Sequence, residues 1–131
     1  MAKAIHTMIR VFDESKAVDF YERAFGLTVS GRFDFDDFTL VYLKNPESDF
    51  ELELTVNKGQ DAPYTHGDAY GHMAFAVENL DAEHERLVSE NLEPTKKFEM
   101  SFPDGTPARG FFVTDPDGYK IEVVQLGGRF Q

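Results

Sequence analysis

Polar and apolar positions alternate over residues 4–11, with Ile5, Thr7 and Ile9 on one parity and His6, Met8 and Arg10 on the other. That period of two predicts a strand. The spacing then changes: Val18, Tyr21, Ala24 and Phe25 recur at three- and four-residue steps, the pattern of one helical face. Asp13 or Ser15 can cap this helix, and Gly26 follows it where a left-handed stop is expected. Three further strands are predicted near 27–34, 38–44 and 50–57, with Asp36-Asp37 and Asn45-Pro46-Glu47 as turns between them.

The same order then returns. A strand is predicted over 71–77. Asn79 or Asp81 caps a helix that carries Leu80, Leu87 and Val88 to about Asn91, and strands follow near 95–100, 109–114 and 119–126. Asp115-Pro116-Asp117-Gly118 has the Pro and Gly placement of a tight turn. Residues 58–70 are polar and connect the halves. The expected organisation is one α+β domain of two repeats, 1–57 and 71–126, joined by 58–70.

Alternation also sorts the side chains by face. His6 and Arg10 share one side of the first strand, and Glu51, Glu53, Thr55 and Asn57 share one side of the strand over 50–57, opposite Leu52, Leu54 and Val56. Glu122 lies opposite Ile121 and Val123. The expected sheet has a helix-packed apolar face and a concave face holding His6, Glu53, His72 and Glu122. Each His precedes its Glu by a similar interval, 47 residues from 6 to 53 and 50 from 72 to 122. Two imidazoles and two carboxylates at repeated places predict a site for a divalent transition metal. His84 in Glu83-His84-Glu85 and His66 in the connector have no such counterparts and are not expected to be ligands.

Composition narrows the partners. The net charge of -11 repels a phosphate backbone, so nucleic acid is not an expected partner, and an anionic substrate would need local cations. With no cysteine there is no disulfide, thiolate ligand or Cys nucleophile. No apolar stretch approaches a membrane span of about 18 residues, and the first residues lack the apolar core of a signal peptide. A cytoplasmic protein is expected. Most of the 13 Phe are expected to pack between helices and sheet, with Phe98, Phe102 and Phe111 as candidates to line a cavity above the metal.

Several stretches together resemble the glyoxalase I (lactoylglutathione lyase) family of the vicinal-oxygen-chelate superfamily. They are His6-Thr7-Met8-Ile9-Arg10-Val11, Asp19-Phe20-Tyr21, Phe25-Gly26-Leu27, Glu53-Leu54-Thr55-Val56-Asn57, Ala69-Tyr70-Gly71-His72, and the run from Asp115 to Glu122. The resemblance covers the full length. It implies two βαβββ modules forming a curved mixed sheet, and a homodimer with active sites at the subunit interface built from both chains. It implies His6, Glu53, His72 and Glu122 as ligands of one metal per site, with nickel or cobalt favoured for a chain of this length and zinc as the alternative. Glutathione is the implied co-substrate, and Arg10 and Asn57 the implied contacts to it.

The implied reaction converts the hemithioacetal of methylglyoxal and glutathione to S-lactoylglutathione. A proton leaves one carbon and returns to the next, and a cation that chelates both oxygens stabilises the negative charge between the two steps. By resemblance Glu122 is the better candidate for the base, with Glu53 as ligand and second candidate. The residues alone do not rank them.

One departure stands out. Family members carry a Lys in a Gly-rich loop near the substrate, whereas residues 100–109 here contain Asp104 and no Lys. Lys96, Lys97 and Arg109 are the nearby cations. Other members of the superfamily offer alternatives: iron dioxygenases, acyl-CoA epimerases and metal-free ligand-sequestering proteins. The four-ligand set argues against each, because dioxygenases want an open position where Glu53 stands, epimerases carry Gln there, and sequestering proteins lack the ligands.

Overall fold

The computed structural model describes all 131 residues. It divides into two compact units, Met1–His66 and Gly67–Gln131. The first contains β1 (His6–Arg10), α1 (Glu14–Phe25), β2 (Thr28–Asp34), β3 (Phe38–Lys44) and β4 (Glu51–Asn57). The second repeats the order with β5 (Met73–Val77), α2 (Leu80–Ser89), β6 (Phe98–Ser101), β7 (Pro107–Thr114) and β8 (Lys120–Gln125). The expected βαβββ repeat is therefore observed. The strands form two four-stranded mixed sheets, in the order β1-β4-β3-β2 and β5-β8-β7-β6. In each, the first and last strands run parallel and the remaining pairs antiparallel. No helix is long and apolar enough to cross a membrane.

Local chemistry explains the boundaries. Of the two proposed caps for α1, Asp13 is used: its carboxylate accepts the Lys16 backbone N–H at 3.0 Å, which holds the Asp13 carboxyl below its usual range. Gly26 closes α1 at φ 64°, a conformation that costs a Cβ-bearing residue more, and its N–H returns to Glu22 O. Asn79, not Asp81, caps α2 by accepting from the Ala82 N–H. The helix ends at Ser89 rather than Asn91, with Asn91 in a left-handed conformation at φ 59°.

Packing follows the periodic pattern with three corrections. In α1, Ala17, Phe20, Tyr21 and Ala24 are buried, so the inward stripe sits slightly to one side of the expected Val18 and Phe25. In α2, Leu80 and Leu87 are buried but Val88 is exposed, one residue off the inward stripe. Ile5 is also exposed, because β1 starts after it. The aliphatics of the central strands, among them Val41, Leu43, Leu54, Ile121 and Val123, are almost fully buried and form the cores. Phe111 belongs to this core beneath His84, rather than lining a cavity.

Candidate metal and substrate site

The first unit brings His6 and Glu53 together. β1 and β4 run parallel, with His6 opposite Glu51 and Met8 opposite Glu53, so His6 and Glu53 are diagonal neighbours on one face. Their side chains converge with His6 Nε2 3.1 Å from Glu53 Oε2. Side-chain exposure is 37% for His6 and 12% for Glu53, so the pair is seated in the sheet yet open on the imidazole side.

The second unit repeats this geometry. His72 lies one residue before β5, outside the strand predicted to contain it, and one step before the Met73–Ile121 pair of the parallel ladder. Its Nε2 is 3.6 Å from Glu122 Oε1. Tyr70 holds this approach to the strand: its hydroxyl donates to Lys120 O at 3.1 Å and its ring meets Tyr119 edge-on at 5.0 Å. Burial raises the Tyr70 hydroxyl above its ordinary value, so it stays a donor. The tight turn before β8 is organised by the buried Asp115 carboxylate, which accepts from the N–H groups of Asp117 and Tyr119. Ala69-Tyr70-Gly71-His72 and Asp115 to Glu122 thus build one local constellation.

These pairs suit a divalent cation. Two donors about 2.1 Å from a metal and at right angles to each other lie about 3 Å apart, and 3.1 Å meets that spacing while 3.6 Å is slightly longer. Imidazole nitrogen and carboxylate oxygen are the donor types that such ions take. Neither unit gathers three or more His, Asp or Glu in position to hold an ion. Each unit brings together one His and one Glu.

Two aromatic residues escaped the reading of the sequence. Tyr42 stands opposite Glu53 across the β3–β4 ladder, and the neighbouring Glu53 carboxylate raises its hydroxyl above its ordinary value. Phe112 stands opposite Glu122 across the β7–β8 ladder. Period-two burial in β3 places Tyr42 on the same face as Phe38 and Leu40, the signal that assigns it to the site.

Arg10 ends β1 and is exposed, while Asn57 ends β4 and is half-buried opposite Phe38. Each lies four residues along from His6 or Glu53, about 13 Å at strand rise. Two of the cations considered in place of the loop Lys are engaged elsewhere: Lys97 Nζ and Arg109 Nη2 lie 2.8 and 3.0 Å from Asp81 Oδ1. They hold the Asp81 carboxyl below its usual range. Asp104 is turned into its own loop, accepting the Thr106 N–H at 2.9 Å.

The profile of the Glyoxalase/Bleomycin resistance protein/Dioxygenase superfamily matches residues 3–123. The chain belongs to this superfamily. Within it, the chain is 35% identical over 130 residues to the lactoylglutathione lyase of Haemophilus influenzae, covering 92% of this chain and 90% of that protein. It is 32% identical to the lactoylglutathione lyase of Escherichia coli O157:H7, covering 94% and 92%. Among solved structures, the trypanothione-dependent glyoxalase I of Leishmania major is 35% identical with a TM-score of 0.77, over 95% of this chain and 87% of that one. Glyoxalase I from Zea mays is 28% identical with a TM-score of 0.79, over 98% of this chain and 45% of the maize chain. Likeness to these superfamily members over nearly the whole chain supports a lyase of the glyoxalase I type.

Proposed function

We propose that this protein is a metal-dependent lactoylglutathione lyase, isomerising the hemithioacetal of methylglyoxal and glutathione to S-lactoylglutathione. The observation that carries the reading is the duplicated His–Glu approach, His6 with Glu53 across the β1–β4 ladder and His72, one residue ahead of the β5–β8 ladder, with Glu122. The repeats 1–57 and 71–126, joined by 58–70, work as one domain, and a second copy of the chain completes the ligand set at a subunit interface.

His6, Glu53, His72 and Glu122 would hold the ion, with nickel or cobalt favoured and zinc as the alternative. When bound, a divalent cation supplies Lewis-acid stabilisation of the negative charge that develops on the two substrate oxygens. Glu122 takes the proton from the carbon that bears sulfur and returns it to the neighbouring carbon. Glu53 would stay in place as a ligand. Arg10 and Asn57 contact the glutathione moiety, in a chain whose charge of -11 otherwise disfavours anions. With Asp104 where the family carries a Lys, the thiol is the part of the substrate most open to change.

The test is formation of an ultraviolet-absorbing thioester by the purified chain loaded with nickel, cobalt or zinc, using glutathione and a panel of other thiols with methylglyoxal. Metal-dependent thioester formation is expected. No thioester with any metal and thiol overturns the reading.

A further inference from the structure

The residue beside each candidate imidazole differs in charge between the two units. In the first, His6 pairs with Glu51 in the β1–β4 ladder, and Glu51 accepts from the Ser30 hydroxyl. In the second, the β5–β8 ladder opens with Met73 against Ile121, which brings His72 and Lys120 side by side one step before it. A carboxylate in one half corresponds to an ammonium in the other.

Lys120 opens β8 two residues ahead of Glu122, so strand alternation sets both on one face, about 6.6 Å apart along the strand. Burial follows that alternation: Lys120 is exposed and Glu122 half-buried, while Ile121 and Val123 are buried on the opposite face. The backbone here is held from both sides. Lys120 pairs with Thr114 in the β7–β8 ladder, and its carbonyl accepts from the Tyr70 hydroxyl at 3.1 Å. The ammonium itself makes no ion pair, since the Glu122 carboxylate turns toward His72. Other cations of this unit are used within the fold: Arg86 is bound to Glu83, and Lys97 and Arg109 to Asp81. Lys96 and Arg129 also lack an ion pair but lie outside the strands.

A chain of charge -11 must hold an anionic ligand with cations placed at the site itself. Glutathione carries two carboxylates, and Arg10 is one cation. Lys120 offers a second, a point charge with three donors on a flexible stem, rooted in a fixed strand and not engaged by the fold. We propose that Lys120 is a substrate-binding residue, its ammonium taking a carboxylate of the thiol co-substrate on the face that carries Glu122. The anion anchor of this unit then lies in β8, and the β6–β7 loop with Asp104 need not supply it. This rests on the isomerase reading above.

The test uses the full chain loaded with nickel, as wild type, Lys120→Gln, Lys120→Arg and Lys44→Gln. Lys44 is exposed and without an ion pair at the end of β3, and its variant controls for the loss of one positive charge. Binding of S-methylglutathione, which cannot react, is measured by calorimetry at low and high salt. Both kcat and KM are measured with the hemithioacetal of methylglyoxal and glutathione. Lys120→Gln is expected to weaken S-methylglutathione binding and to raise KM by about tenfold or more, the usual effect of losing a hydrogen bond to a charged group. Its kcat is expected to stay within about twofold of wild type, the mark of binding shared by ground and transition states. Lys120→Arg keeps the charge and is expected to restore binding to within about threefold. Salt is expected to weaken binding more steeply in the wild type than in Lys120→Gln. Wild-type binding and KM in Lys120→Gln overturn the proposal, as does a fall in kcat at unchanged KM, or an equal loss in Lys44→Gln. A wild type that does not bind S-methylglutathione overturns it as well. No thioester with any metal overturns the isomerase reading, whereas S-methylglutathione binding indifferent to Lys120 overturns this proposal alone.

Discussion

The imidazole of His6 reaches across the parallel ladder to Glu53, two residues beyond its backbone partner. That partner, Glu51, is engaged elsewhere, accepting a hydrogen bond from the Ser30 hydroxyl. Two carboxylates on one strand face are thereby given different work. On the proposed reading, Glu53→Ala is expected to weaken metal binding by about tenfold or more, since loss of a ligand costs at least as much as loss of its supporting partner. Glu51→Gln is expected to bind metal like the wild type, and a chelator competition titration of both variants checks the distinction.

Glu122 stands diagonal to His72 as Glu53 does to His6. On the proposed reading, Glu122→Gln removes the proton carrier while keeping an oxygen donor, which separates chemistry from metal binding. Glu122→Gln is expected to lose about 10²–10⁴-fold in kcat, the usual contribution of a positioned base. Metal content by elemental analysis is expected to stay close to that of the wild type.

Asp81 accepts from both Lys97 and Arg109, which lowers its pKa in the folded chain below the ordinary 3.8. A depressed carboxylate contributes stability above its unfolded value and loses it as pH falls through the folded one. The melting temperature of the wild type is therefore expected to exceed that of Asp81→Asn by a constant margin above roughly pH 5, a margin that shrinks below the unfolded value and is gone once pH has fallen through the folded one. High salt is expected to shrink it, because the pairs are exposed and screened. A melting series across pH at two ionic strengths reads both effects.

Gly110 lies in the middle of β7, where a Cβ would sit 2.6 Å from the backbone oxygen of Val123 and 2.7 Å from the ring of Phe98. The ring can turn aside, but the backbone oxygen belongs to β8, the strand that carries Glu122. Gly110→Ala is expected to destabilise the protein by about 1–3 kcal/mol, the usual cost of overpacking. A denaturant titration measures the loss, and a shift in metal affinity would register any displacement of Glu122.

Much of the fold was legible because the chain changes period cleanly. The three-residue steps through Tyr21 and Ala24 and the alternation of Leu52, Glu53 and Leu54 each admit one element type, and Asp13 and Gly26 mark helix ends chemically. One error falls at a strand edge. His72 was read into a strand that begins at Met73, since an apolar run does not reveal where ladder pairing starts. His84, set aside as a ligand, has a packing role that the sequence did not show: its ring packs edge-on against Phe111 and bonds Thr95 O at 2.8 Å. Charged neighbours in sequence gave no sign of a partner eleven residues away.

By itself, the sequence determined that two His and two Glu recur at matching places and that alternation turns them away from the aliphatic cores. It left the two glutamates equivalent, because periodicity assigns a face and says nothing of what stands opposite. Only the tertiary structure decided that. Strand register sets Tyr42 against Glu53 and Phe112 against Glu122, and register depends on pairing between segments distant along the chain. The two His–Glu pairs differ in the aromatic residue that each glutamate faces, a difference that appears only once the ladders are aligned.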